Sequence, residues 1–132
     1  MPTLNLWGQL PPTEKIRTPT QILKEQATAL DDMTKGALQG SVTVRHDSQG
    51  RFNIDLDIVA PALDNYTYNV LEASHGLNLY PVKVKPGWKK YEYKEHFECA
   101  DEEQLDDALG QVLTSPEVKR VITTLLAQSR AM

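Results

Sequence analysis

Apolar residues recur along this chain with two different periods, and the switch between them divides it into segments. From Thr18 to Gly36 the spacing is near-helical, with Ile22, Leu23, Ala27, Leu30 and Met33 on one stripe. Thr18-Pro19-Thr20-Gln21 opens that segment with a capping threonine, a proline at the first helical position and a glutamine three residues after the cap. Gly36 is a natural stop, so the pattern predicts a helix over Pro19–Lys35.

The period then drops to two. Gly40–His46 alternates with Val42 and Val44 on one face. Arg51–Ala60 alternates with Phe52, Ile54, Leu56 and Ile58 on one face and Asn53, Asp55 and Asp57 on the other. For Val44 to share a face with Phe52 and Ile54, the connection must hold an odd number of residues. Ser48-Gln49-Gly50 supplies three, with Gly50 suited to the left-handed bulge position. Pro61 ends the second strand, because it brings no N–H to the ladder. A third strand is expected over Tyr66–Ala73, with a turn at Ser74-His75-Gly76, and a fourth over Asn78–Lys85. Pro86-Gly87 is expected to turn the fourth into a fifth over Trp88–Cys99.

Helical spacing returns at the C-terminal end. Asp101 is a cap with Gln104 three residues on, and Leu105, Ala108, Leu109, Val112 and Leu113 fall at i, i+3, i+4, i+7 and i+8. Ser115-Pro116 restarts a helix whose stripe is Val118, Val121, Ile122, Leu125 and Leu126. The expected fold is α+β: an N-terminal helix, an antiparallel meander of about five strands, and two C-terminal helices, with the helices on one face of the sheet. At 132 residues the chain reads as a single domain over residues 1–132. Residues 1–17 form an irregular arm, which Leu4, Leu6 and Trp7 would pin to the domain.

Charge changes the picture at one place. The chain has formal net charge -4, but Tyr80–Lys94 holds five lysines and one glutamate. If Val82 and Val84 face the core together with Tyr91 and Tyr93, the opposite face of that hairpin carries Lys83, Lys85, Trp88, Lys90, Glu92 and Lys94. Lysines beside an exposed tryptophan suit phosphates or an acidic protein surface. The same pattern fits a solvated lysine-rich edge that resists aggregation, or internal pairing with the acidic run Glu98, Asp101, Glu102, Glu103, Asp106 and Asp107. The candidate binding residues are therefore Lys83, Lys85, Trp88, Lys90 and Lys94. Asp55 and Asp57, with Arg45 beside them, form a second polar zone that reads first as cross-strand ion pairing.

Other chemistry-bearing residues form no motif. His46, His75 and His96 have no second histidine or cysteine at metal-ligand spacing, so neither a metal nor a cofactor is expected. Cys99 alternates onto the apolar side with Phe97 and lies among acidic residues, which favours a small core residue over a nucleophile. Glu95 interrupts the apolar face of Tyr91, Tyr93 and Phe97, and a bulge would turn it outward. With one cysteine, no basic-then-apolar leader and no apolar run longer than Ile58–Leu63, a soluble cytoplasmic protein away from membranes is expected. Three functional classes fit: a protein-binding module (inhibitor, immunity-type, adaptor or accessory subunit), a nucleic-acid binder using the lysine hairpin, or an enzyme built on Asp55, Asp57, Glu72 and His75. Net acidity favours a protein partner over nucleic acid. A homodimer formed through an exposed fifth strand is a further possibility.

Overall fold

The fold is taken from a computed structural model that describes residues 3–13 and 15–132. Its order is helix α1 (Pro19–Met33), strands β1 (Gln39–His46), β2 (Phe52–Ala60), β3 (Tyr66–His75), β4 (Val82–Pro86) and β5 (Phe97–Cys99), then helices α2 (Glu102–Leu113) and α3 (Pro116–Ala131). The sheet runs β1-β2-β3-β4-β5, each strand antiparallel to its neighbours, which is the expected α+β meander. None of its helices is long and apolar enough to cross a membrane among the described residues.

The caps anticipated from sequence are formed. The Thr18 hydroxyl accepts from the Gln21 N–H at 3.2 Å, and the Gln21 side chain accepts from the Thr18 N–H at 2.9 Å. Asp101 caps α2 by accepting from the Gln104 N–H, and Ser115 caps α3 by accepting from the Val118 N–H, each without the reciprocal arm. Thr18→Ala removes one arm of this reciprocal box. It is expected to cost about 1 kcal/mol and to lower the thermal midpoint by about 4 °C, measured by far-ultraviolet circular dichroism.

All three helices bury their apolar stripes in one cluster with one face of the sheet: Ile22, Leu23 and Ala27 from α1, Leu105, Leu109 and Val112 from α2, and Val118, Val121 and Leu125 from α3. Alternation along β2 places Ile54, Leu56 and Ile58 in that core and turns Asn53, Asp55 and Asp57 to the other side. The β1–β2 register is the one parity required, with Val44 opposite Ile54 and Gly50 at φ +80 in the turn.

Gly40 sets where α1 lies. A Cβ there would stand 2.3 Å from the Ala27 Cα, so only glycine lets β1 come this close to the helix. The Asp31 carboxylate then accepts from the Gly40 N–H at 2.8 Å and locks the contact. As a result α1 sits over the edge of the sheet, and a cleft remains between it and α3.

Three expectations about the middle of the chain are corrected. β3 continues through Ser74 and His75, so there is no turn at those residues. β4 begins at Val82 rather than Asn78. The expected fifth strand over Trp88–Cys99 is reduced to Phe97–Cys99, which pairs with Val82, Lys83 and Val84. Between β4 and β5 the chain makes short 3-10 turns at Gly87–Lys89 and Tyr93–Glu95. Tyr91 and Tyr93 therefore do not face the core with Val82 and Val84; they are 90% and 81% exposed. Glu95 lies in the second turn, paired with Lys89 at 3.4 Å, and no bulge is needed to turn it outward. The arm is not pinned either, since Leu4, Leu6 and Trp7 are all exposed.

Candidate functional site

With the helices on one side, the other face of the sheet is uncovered, and its side chains line up in rows across the strands. One row runs Thr43, Asp55, Glu72, Lys85, and the next runs Arg45, Asn53, Ser74, Lys83, Glu98. Glu72 is the centre of the face and is only 8% exposed. Arg45 reaches it at 3.4 Å while holding Asp55 at 2.8 Å. Lys85 approaches Glu72 at 3.7 Å and Lys90 at 3.5 Å. A carboxylate this buried needs such compensation, because desolvation penalises its charged form. The hydrogen bond to Asp55, with Glu72 adding its charge, raises the Arg45 pKa above its ordinary value.

Lys90 reaches Glu72 from outside the sheet, carried by the turns between β4 and β5. Gly87 permits this, because a Cβ there would lie 2.1 Å from the Asn69 carbonyl oxygen, so the first turn rests directly on β3. The second turn is tied back by His96, whose Nε2–H donates to the Lys90 carbonyl at 3.0 Å. The Tyr93 ring meets the His96 imidazole edge-on, with centroids 5.4 Å apart. This ordered connection turns the two tyrosines to solvent beside Lys90 and Lys94.

Next to Glu72, a polar cleft of about 290 Å³ is lined by Arg51, Ser74, Pro81, Lys83, Lys85 and Glu98. Neither Lys83 nor Arg51 forms an ion pair among the described residues. The face thus carries both signs interleaved: carboxylates at Asp55, Glu72 and Glu98, and cations at Arg45, Lys83, Lys85 and Lys90.

The expected binding residues are partly brought together. Lys83, Lys85 and Lys90 share the face with Arg45 and Asp55. Trp88 does not join them: it packs on the helix side, half-buried, beside Phe97, Val112 and Pro116. The expected exposed tryptophan is therefore corrected, and the aromatic groups near the lysines are Tyr91 and Tyr93. Lys94 is exposed in the second turn and forms no ion pair with the Glu72 cluster. Asp57 is separated from Arg45 and accepts instead from the Asn69 side chain at 2.8 Å. The acidic run does not neutralise the lysines as a group. Glu98 stands opposite Lys83, but Glu102 pairs with Arg17 and Asp101 is spent on the α2 cap.

The residues named for catalysis are divided between the two faces. Asp55 and Glu72 are bridged by Arg45, whereas His75 is buried on the helix side, stacked on Phe52 with ring centroids 5.3 Å apart. Cys99 is buried beside Val82, and burial, with the Asp101 charge adding, pushes its thiol pKa upward. Among the described residues no three histidine, cysteine, aspartate or glutamate side chains gather as a metal site.

Sequence reasoning missed the central position of Glu72 and the contribution of Arg51. A β-bulge caused the first: the register shifts between Leu56 and Asp57, so Leu56 pairs with Leu71, Asp57 pairs with Asn69, and Val70 is left unpaired. Counting in twos from Tyr68 puts Glu72 on the core side; the extra residue puts Leu71 and Ala73 there instead. No protein-family model matches this chain, and neither a curated protein nor a solved structure matches it.

Proposed function

We propose that the protein is a small protein-binding module, of the inhibitor, immunity-type, adaptor or accessory-subunit kind, and that it binds through the uncovered polar face of its sheet. The observation that carries this reading is the ordered charge cluster around Glu72, with Lys83 and Arg51 at its edge outside any ion pair among the described residues. An open face with its charged side chains already held in place loses little side-chain freedom on binding. The interleaving of carboxylates and cations across the strands suits a partner of complementary pattern and fixes its orientation. Tyr91 and Tyr93, exposed in the connection that carries Lys90, add a residue type enriched at protein interfaces.

Nucleic-acid binding is a second reading with one observation in its favour, the two exposed tyrosines on a lysine-bearing connection. Interleaved Asp55, Glu72 and Glu98 oppose it, because each would face a phosphate backbone of like charge.

The test is site-specific photo-crosslinking in the protein's own cells, with the cross-linker at Lys83 or, as a control, at Lys119 on α3. A defined protein adduct is expected at position 83 and not at 119. Arg51→Glu, made in the chain that carries the cross-linker at position 83, leaves the Glu72 ion pairs intact and is expected to reduce that adduct roughly tenfold. An adduct equally strong in the Arg51→Glu chain removes this face from consideration. Binding of a labelled single-stranded oligonucleotide that falls steeply with salt would favour the second reading.

A further inference from the structure

The polar cleft beside Glu72 is more selective in its chemistry than the face around it. Its most buried lining residue is Ser74, which stands on β3 between Asn53 and Lys83 and is only 4% exposed. Among the described residues the Ser74 hydroxyl makes no hydrogen bond. A hydroxyl buried this far ordinarily has a partner, because leaving the bond unmade costs its desolvation.

The charges around that hydroxyl do not balance. Lys85 is already engaged by Glu72 at 3.7 Å. Arg51 and Lys83 form no ion pair among the described residues. Asp47, the acidic residue nearest Arg51 in sequence, accepts instead from the Gln49 and Arg51 N–H groups and from the Asn53 side chain. Glu98 stands opposite Lys83 in the β4–β5 register. Two cations against one carboxylate leave the cleft short of a single negative charge.

We propose, on the reading of this face as a protein-binding surface, that the cleft receives one carboxylate: an aspartate or glutamate side chain that the partner inserts between Arg51 and Lys83 onto the Ser74 hydroxyl. The Arg51 guanidinium offers paired N–H donors whose geometry matches a carboxylate, and the Lys83 ammonium supplies a second cation. The Ser74 O–H donates to the same group and so gains the partner it lacks. The size also fits. At about 30 Å³ per water, a cleft of about 290 Å³ takes one acidic side chain with a few hydrating waters. Glu98 disfavours phosphate, because a phosphomonoester carries about -1.5 to -2 charge at neutral pH and would bring an excess negative charge against that carboxylate.

Titration of the isotope-labelled full chain with capped tripeptides, followed by amide NMR, tests this. The probes are Gly-Glu-Gly, Gly-Gln-Gly and Gly-phosphoserine-Gly. Gly-Glu-Gly is expected to move the Ser74 and Lys83 amide signals saturably in the millimolar range, and Gly-Gln-Gly is not. Arg51→Gln and Lys83→Gln are each expected to weaken that binding roughly threefold to tenfold. Ser74→Ala is expected to weaken it roughly threefold, and Lys119→Gln on α3 to leave it unchanged. Glu98→Gln is expected to turn the preference toward the phosphoserine peptide, since the cleft then lacks two negative charges. Equal shifts with Gly-Glu-Gly and Gly-Gln-Gly, shifts retained when Arg51→Gln and Lys83→Gln are combined, or tighter binding of the phosphoserine peptide by the wild-type chain overturns the proposal. A cross-linked adduct at position 83 without binding of Gly-Glu-Gly keeps the face as an interface and removes the carboxylate site. Binding of Gly-Glu-Gly without an adduct keeps the site and overturns a protein as the source of its carboxylate.

Discussion

Gly40→Ala is expected to cost the fold about 2–4 kcal/mol, an overpacking penalty at the upper end of its usual range. The new methyl would stand 2.3 Å from the Ala27 Cα and 2.8 Å from its carbonyl oxygen. Those atoms belong to helix backbone, so no side-chain rotation relieves the clash. Either α1 lifts from β1, losing the Asp31–Gly40 hydrogen bond and part of the contact made by Ile22 and Leu23, or the start of β1 leaves the sheet. Urea denaturation should show the midpoint falling by roughly 1–2 M. Gly110→Ala is the internal comparison: a Cβ at that position in α2 meets nothing within 4 Å. That substitution should add about 0.5–1 kcal/mol through helix propensity and a less flexible unfolded chain. Equal effects at the two glycines would contradict the close seating of α1 on β1.

Glu72→Ala is expected to cost about 2 kcal/mol, below the 3–5 kcal/mol typical of breaking a fully buried ion pair. The discount follows from its partners: Arg45 is 55% and Lys90 37% exposed, so both can turn toward water once the carboxylate is gone. Lys85, whose side chain is 27% exposed, has less freedom and bears most of the unrelieved repulsion. Added salt should shrink the difference between variant and wild type, because screening weakens repulsion among the remaining cations more than it alters packing. Urea unfolding at low and high ionic strength measures this. A loss of stability that does not change with salt would mean that Glu72 matters for its shape and not its charge.

Much of the architecture was legible because its determinants are local. The three helix caps lie within four residues of the stripes they introduce, and the period of those stripes is set by the helix itself. The β1–β2 hairpin was legible because its two faces differ sharply in polarity, so parity alone decided the register. The segment from Pro86 to His96 was not. Its alternation of lysines and aromatics is a strand pattern, and only the close contact of Gly87 with Asn69, eighteen positions earlier in sequence, turns it into a pair of short turns. That one contact moved the tyrosines outward, sent Trp88 to the helix side and brought Lys90 over Glu72. The candidate site was accordingly half visible. Its lysines and the Arg45–Asp55 pair could be named from strand parity, but the carboxylate that organises them could not be placed without the bulge.

The unpaired Val70 also bears on how this protein can vary in length. The two halves of β3 count their inward positions from different origins, Tyr66 and Tyr68 on one side of the bulge and Leu71 and Ala73 on the other. Losing one residue there would force one half to turn over, exchanging Leu71 and Ala73 for Glu72 and Ser74, or Tyr68 for Thr67 and Asn69. Gains and losses of residues should therefore accumulate among descendants of this sequence in the arm and in the turn between β1 and β2, whereas the length of β3 should stay fixed even where its side chains change.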